Sequence, residues 1–262
     1  MDSNLVVEQA ALRLRQAAAS GLPCAPVRDL LGETDVALAY RVQAHNTEYQ
    51  LRKGEQIEGV KIGLTSEAVQ KQLGVDQPDF GLLWQHTRVE ANGAISLSEV
   101  MQGKAEVEIA FVMQDALDAA DLSLEELTDA VAGACLSIEI VGSRIMNWDI
   151  RITDTVADNA SASHWMISDL VVPIDQIDLL GCKMNFWNRD ELVSEGIGRN
   201  CLDSPLIALH WLANTMYEMG QPIRKGDIVL SGALGAMVNL NAGDRFTAEI
   251  EGLGELTLRI HE

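Results

Sequence analysis

A mixed α+β fold, with a curled antiparallel sheet behind a helical N-terminal segment, is predicted by three patterns in this 262-residue sequence. Residues 1–55 place apolar side chains at helical spacing, whereas residues 56–262 repeat them mainly every second position. Glycine, proline and Asn/Asp turns break the second region into short strands. A capped helix then separates two of its longest apolar strands.

Residues 5–20 read as a helix, with Val7, Ala11, Leu14 and Ala18 on one stripe and Gly21 just past the end. Leu22–Pro26 connects it to a second helix that starts at Thr34 or Asp35 and carries Leu38, Val42, His45 and Tyr49 on one face. His45 reads there as a packed side chain rather than a ligand. Arg52 and Lys53 suit the last turn before Gly54.

Val60–Ser66 opens the β region and sets Lys61 among apolar residues. A buried lysine is costly to charge and its pKa tends to fall, which suits proton transfer. The heptapeptide alone favours the plainer reading, a lysine on a surface strand. Leu73–Gly81 has the composition of a loop, and Asp79 within it reads equally as a turn former or a catalytic carboxylate.

Strand Lys104–Met113 puts Val107, Ile109, Phe111 and Met113 on one face and Glu106 and Glu108 on the other. Neighbouring carboxylates repel when ionised, so either water or a cation must relieve them. A solvated edge strand satisfies that as well as a metal does. Glu139 tips the balance, because it faces away from Leu136, Ile138 and Ile140 on a second, otherwise apolar strand. The intervening Ser123-Leu-Glu-Glu126 is a capping box, with Leu124, Leu127 and Val131 as its helix's stripe. A strand, a helix and a second strand can bring three carboxylates to one point. Three oxygen ligands leave about three positions of an octahedral Mg²⁺ open for water or substrate.

Further on, Thr155–Ser161 is unusually polar between Ile152 and Trp165. Ser204 and Pro205 start a late helix that runs to Gly220, with Leu206, Leu209, Ala213 and Met216 inward. The chain then returns to strands. Phe246, Ala248 and Ile250 share one face, as do Leu256, Leu258 and Ile260.

Composition narrows the function classes. A net charge of −20 argues against nucleic-acid partners and anionic membranes, and makes an anionic substrate awkward without a local cation. No apolar run approaches the roughly 20 residues of a membrane span, and no signal peptide is read. Cys24, Cys135, Cys182 and Cys201 lie far apart, as expected of reduced thiols in a cytoplasmic protein. The histidines show no HExxH spacing, so zinc is not expected.

Taken together, Lys61–Thr65, Leu73–Gly81, Glu106–Ala110, Glu139–Arg144, Val156–Ser161 and Gly232–Gly235 resemble the hydratase/decarboxylase branch of the fumarylacetoacetate hydrolase superfamily, in the family's order. Within it the chain looks most like the 2-hydroxypenta-2,4-dienoate (2-oxopent-4-enoate) hydratases of aromatic meta-cleavage catabolism. Val141–Ile145 with Trp148, and Ser231–Gly235, lean that way. A departure is Asp203-Ser204-Pro205, where the family commonly has Gly-His-Pro. The resemblance implies a mixed β-sandwich roll with a helical N-terminal segment. It implies Glu106, Glu108 and Glu139 as Mg²⁺ or Mn²⁺ ligands, Lys61 and Asp79 in acid/base roles without saying which does which, and Ser161 near the substrate carboxylate. Water addition to a small anionic 2-hydroxydienoate is then the expected reaction. A 4-oxalocrotonate-type decarboxylase on the same scaffold is the alternative, and a non-catalytic, partner-binding subunit a more remote one. The namesake's C–C hydrolysis lacks an evident His–Glu pair. The helical stripes need a surface, on this chain or a second copy, and a homo-oligomer is expected, as is association with a neighbouring enzyme of the pathway.

Overall fold

Two sheets organise the computed structural model of the chain, which describes residues 3–66, 70 and 77–262. In chain order the strands are β1 (Ile57–Gly63), β2 (Asp79–Trp84), β3 (Ala94–Ser96), β4 (Lys104–Met113), β5 (Val131–Val141) and β6 (Ala162–Ile167). There follow β7 (Lys183–Asn188), β8 (Glu191–Ile197), β9 (Ile228–Ala233), β10 (Val238–Asn239), β11 (Arg245–Ile250) and β12 (Gly254–His261). The larger sheet runs β2-β1-β9-β4-β5-β6, with β10 on β4, and the smaller runs β3-β12-β11-β7-β8. Neither is purely antiparallel, since β1 pairs with β9 and β12 with β3 in parallel.

The larger sheet curls until its ends meet. Val89, just past β2, donates its N–H to Trp165 O at 2.8 Å, and Trp165 Nε1 donates to Trp84 O at 3.1 Å. Alternation then sorts side chains into inside and outside. Val107, Ile109, Phe111, Leu136, Ile138 and Ile140 point out into a core shared with Phe186, Phe246, Leu256 and Leu258 of the smaller sheet. Helix Pro205–Glu218 closes that core, capped by Ser204 as expected. Leu83, Ala110, Cys135, Trp165 and Leu230 fill part of the interior. The remainder of the interior is polar, and it holds the candidate site.

Helices α1 (Ser3–Ser20), α2 (Arg28–Leu31) and α3 (Val36–Arg52) pack on one another and on Ile145, Ile152, Val156 and Ala157. Their stripes therefore cover this chain's own domain. Val7, Ala11, Leu14 and Val42 are buried as expected, and the expected stripes depart only toward the helix ends. Ala18 is exposed while Ala17 is buried, and α3 buries Ala39, Val42 and Gln43 rather than Tyr49. Tyr49 is instead flanked by the Arg15 guanidinium, 4.7 Å from its ring centroid. His45 is half-buried. The capping box of Ser123 and Glu126 forms, but its helix α4 (Leu124–Asp129) is a single short turn that buries only Leu127. Val131 already belongs to β5, paired with Met113 of β4, and Leu124 is exposed. Among the described residues, no helix is long and apolar enough to cross a membrane.

The polar run Thr155–Ser161 is buried rather than solvated. It forms the end of helix α5 (Ile152–Ala157) and a turn in which Asn159, Ala160 and Ser161 adopt φ of 56°, 49° and 57°. Left-handed backbone at three side-chain-bearing residues costs energy and needs external support. Arg144 supplies part of it, pairing with the buried Asp158 and donating to Ala162 O. Asn159 supplies more, accepting from Leu82 N at 2.8 Å and donating to Leu82 O at 3.0 Å. Gly81 lets the turn lie this close, because a Cβ there would stand 2.2 Å from Asn159 O. Gly81→Ala should therefore lower stability by about 1–3 kcal/mol, read as a drop in the denaturant midpoint. A midpoint equal to the parent's would contradict the packing described.

Candidate active site

The register of β4 and β5 sets Glu106 directly opposite Glu139 and Glu108 opposite Ser137. All three glutamates point into the interior of the curled sheet and are buried, Glu108 and Glu139 completely. Each offers an oxygen, and those oxygens lie within 4.8 Å of one another. Glu108 is aimed by a bulge: between the pairs Glu108–Ala233 and Ala110–Leu230 the ladder skips, and Gly232 N donates to Glu108 Oε2 at 2.8 Å. Gly232 has φ 113°, and a Cβ there would come within 2.4 Å of Thr65. That accounts for a glycine in this motif.

Lys61 reaches the same point from β1. Its Nζ lies 3.2 Å from Glu139 Oε2 and donates to Ala160 O at 3.2 Å. With 2% exposure it is interior, not the surface lysine its own heptapeptide suggested. The heptapeptide does not reveal which face of β1 turns inward. The expected fall in its pKa is also reversed. Burial by itself lowers the pKa, but Glu139, Glu106, Asp79 and Glu108 outweigh burial and raise it.

Asp79 is not in a loop but is the first residue of β2, paired with Gly63; residues 73–76 of that expected loop lie outside the described residues. Burial raises its pKa against the opposing effects of Lys61 and of Thr155, whose Oγ1 donates to Asp79 Oδ2 at 3.2 Å. Gly63 makes room for it, since a Cβ there would meet Asp79 Oδ1 at 2.2 Å. Ser161 is buried beside Ala160, and its hydroxyl has no hydrogen-bond partner among the described residues. Lys61, Asp79, Glu106, Thr155 and Ser161 all line a cavity of about 890 Å³.

Three supporting residues escaped the sequence reading. Gln43 Nε2 donates to Phe80 O at 2.9 Å and Val156 O at 3.2 Å, tying β2 to α5. Tyr40 stacks on Phe80, centroids 4.7 Å apart, and its hydroxyl accepts from Phe80 N. Thr155 completes the set. The N-terminal helices thus brace the two elements that hold Asp79. The sequence signals were the polar run that Thr155 opens and a glutamine on the inward face of a helix.

The donor set fits a hard divalent cation. Among the described residues Glu108 Oε1 and Glu139 Oε1 are buried without hydrogen bonds, and the Lys61 ammonium beside Glu139 Oε2 faces three carboxylates, an arrangement costly unless a further cation is bound. Burial pushes the carboxyls of all three glutamates up, Glu139 to about 7, with Lys61 opposing the rise. Glu108→Gln replaces an orphaned oxygen with a donor facing two carboxylates. It should stabilise the chelator-treated protein by about 1–3 kcal/mol and abolish any rise in melting temperature on adding Mn²⁺. A loss of stability in chelator would contradict the strain inferred here.

Comparison with known proteins agrees with this geometry. The family described as Fumarylacetoacetate (FAA) hydrolase C-terminal matches residues 36–261. The chain is 47% identical over 251 residues to the TodF product hydratase of Pseudomonas putida F1, covering 96% of this chain and 94% of that protein. It is 46% identical to 2-keto-4-pentenoate hydratase 2 of Dechloromonas aromatica, covering 98% of both. Among solved structures, 4-oxalocrotonate decarboxylase from Pseudomonas putida G7, complexed with magnesium and adipate, superposes with a TM-score of 0.94 at 28% identity over 99% of this chain and 98% of that one. Residues spread from helix α3 to β12 carry the match, and the chain belongs to the fumarylacetoacetate hydrolase family.

Proposed function

We propose that this protein is a divalent-metal-dependent hydratase that adds water to a 2-hydroxy-2,4-dienoate, through its 2-oxo-3-enoate tautomer, to give a 4-hydroxy-2-oxoacid. The observation that carries the reading is the meeting of three buried glutamates with Lys61, beside a cavity that Lys61, Asp79 and Glu106 line. Hydratase relatives at 46–47% identity supply the reaction class. Glu106, Glu108 and Glu139 would hold Mg²⁺ or Mn²⁺. When bound, that ion supplies Lewis acidity to the 2-oxo acid end of the substrate and offsets the buried negative charge.

The chain's own residues move the protons. Two proton movements are needed: the 2-hydroxyl proton is lost as C5 gains one, giving the 2-oxo-3-enoate, and then the oxygen of water bonds to C4 as the water loses one proton and C3 gains one. Lys61 and Asp79 are the pair proposed for these transfers. Lys61 is held by Glu139 and Ala160 O, and Asp79 by Thr155 Oγ1, so both are aimed before substrate arrives. Ser161, whose hydroxyl in the cavity wall has no partner among the described residues, would donate to the substrate carboxylate. We also propose residues 1–55 as a bracing segment of the catalytic unit, and a homo-oligomer as its form in solution.

A decarboxylase is the second reading, favoured by the superposition on 4-oxalocrotonate decarboxylase. Incubation with 2-hydroxypenta-2,4-dienoate and with 4-oxalocrotonate separates the two. The hydratase consumes the first only when Mg²⁺ or Mn²⁺ is present and releases no CO₂ from the second. Lys61→Met should cut turnover by roughly 10²–10⁴ while Mn²⁺ still binds. CO₂ from 4-oxalocrotonate without hydration of the dienoate would reverse the assignment, and near-parental turnover in Lys61→Met would remove Lys61 from the chemistry.

A further inference from the structure

Lys104 stands two residues before Glu106 on β4, on the same face, where it lines the cavity with Trp148. Its ammonium lies 4.5 Å from the centroid of the Trp148 ring. Trp148 is itself fixed, its Nε1 donating to Gln102 O at 3.0 Å. Gln102 Nε2 donates to Ser143 O and Ile145 O at 2.8 and 2.7 Å, while its Oε1 accepts from Asn147 N at 2.7 Å. Gln102, Asn147 and Trp148 have φ of 53°, 59° and 54°, so the clamp is built from backbone that persists only where its surroundings impose it. Among the described residues Lys104 has no ion-pair partner.

Charge explains what the clamp is for. When all are ionised, the four interior carboxylates, Glu106, Glu108, Glu139 and Asp79, outnumber Lys61 and a divalent cation by one charge. An anion entering such a site, in a chain of net charge −20, meets repulsion unless one more cation faces it. We propose that Lys104, aligned by Trp148, receives a substrate carboxylate oxygen and so makes the cavity selective for anionic 2-oxoacids. This rests on the hydratase reading above, and deepens it by naming a residue that selects the substrate class. The carboxylate it meets is either the one beside the 2-oxo group or one at the end of a longer tail. Ligand length distinguishes them.

The test is calorimetric titration of the Mg²⁺-loaded protein with two inert saturated analogues, 2-oxopentanoate and 2-oxohexanedioate. Lys104→Met should bind 2-oxopentanoate about 10- to 100-fold more weakly than the parent, with Mg²⁺ affinity unchanged, and Lys104→Arg should recover part of the loss. If only 2-oxohexanedioate is weakened, the carboxylate received is that of the tail. Arg151, exposed on the lip of the same cavity, is the control. Lys104→Met binding both analogues as the parent does overturns the proposal, and so does an equal loss in Arg151→Met, which would signal a diffuse field. If the parent itself binds neither analogue, the hydratase reading fails instead.

Discussion

Everything in the larger sheet is bent around one ion pair. Lys61 on β1 and Glu139 on β5 are three strand steps apart, roughly 14 Å across a flat sheet, yet their charged atoms are 3.2 Å apart. The two side chains span much of that distance, and the curl that joins Val89 to Trp165 turns them toward one another inside the sheet. The curl is also what puts Glu106, Glu108 and Asp79 within reach of the same ammonium, because they come from strands on either side of the interior. A buried pair of this kind is poor evidence for stability, since desolvation offsets much of the attraction. Its use is to hold charge where the fold alone would exclude it.

The surrounding structure compensates for that charge locally. A bulge at Gly232 turns a backbone N–H toward Glu108, a left-handed turn at Ala160 turns a carbonyl toward Lys61, and Thr155 donates to Asp79. Each device needs a residue with little choice. Gly232 and Gly81 leave room for backbone or side chain that a Cβ would displace, and Asp158 anchors Arg144 beneath the turn. What these groups leave unsatisfied among the described residues, notably Glu108 Oε1 and Glu139 Oε1, is the part of the interior that fits a cation.

Much of this was legible in the sequence where the period was two. The faces of β4 and β5 follow from alternation alone, and so did the convergence of the three glutamates once both strands were placed. The two last strands, with Phe246, Ala248 and Ile250 inward, were readable for the same reason. Helical phase was less secure. A step of three or four residues drifts round the helix, so Ala17 and Gln43 replaced Ala18 and Tyr49 on the buried arc. Asp79 and Lys61 were misjudged in isolation because local composition carries no information about which face a curled sheet turns inward. Gln43, Tyr40 and Thr155 act through contacts to residues 37 to 113 positions away, and no local pattern announces such contacts.

The central claim is that the interior charge exists to seat a metal ion beside Lys61 and Asp79. Anomalous diffraction from crystals grown with Mn²⁺ measures this directly. The account predicts one strong peak within ordinary ligand distance of carboxylate oxygens from Glu106, Glu108 and Glu139 together. No peak there, or a peak on only one of the three, would contradict it.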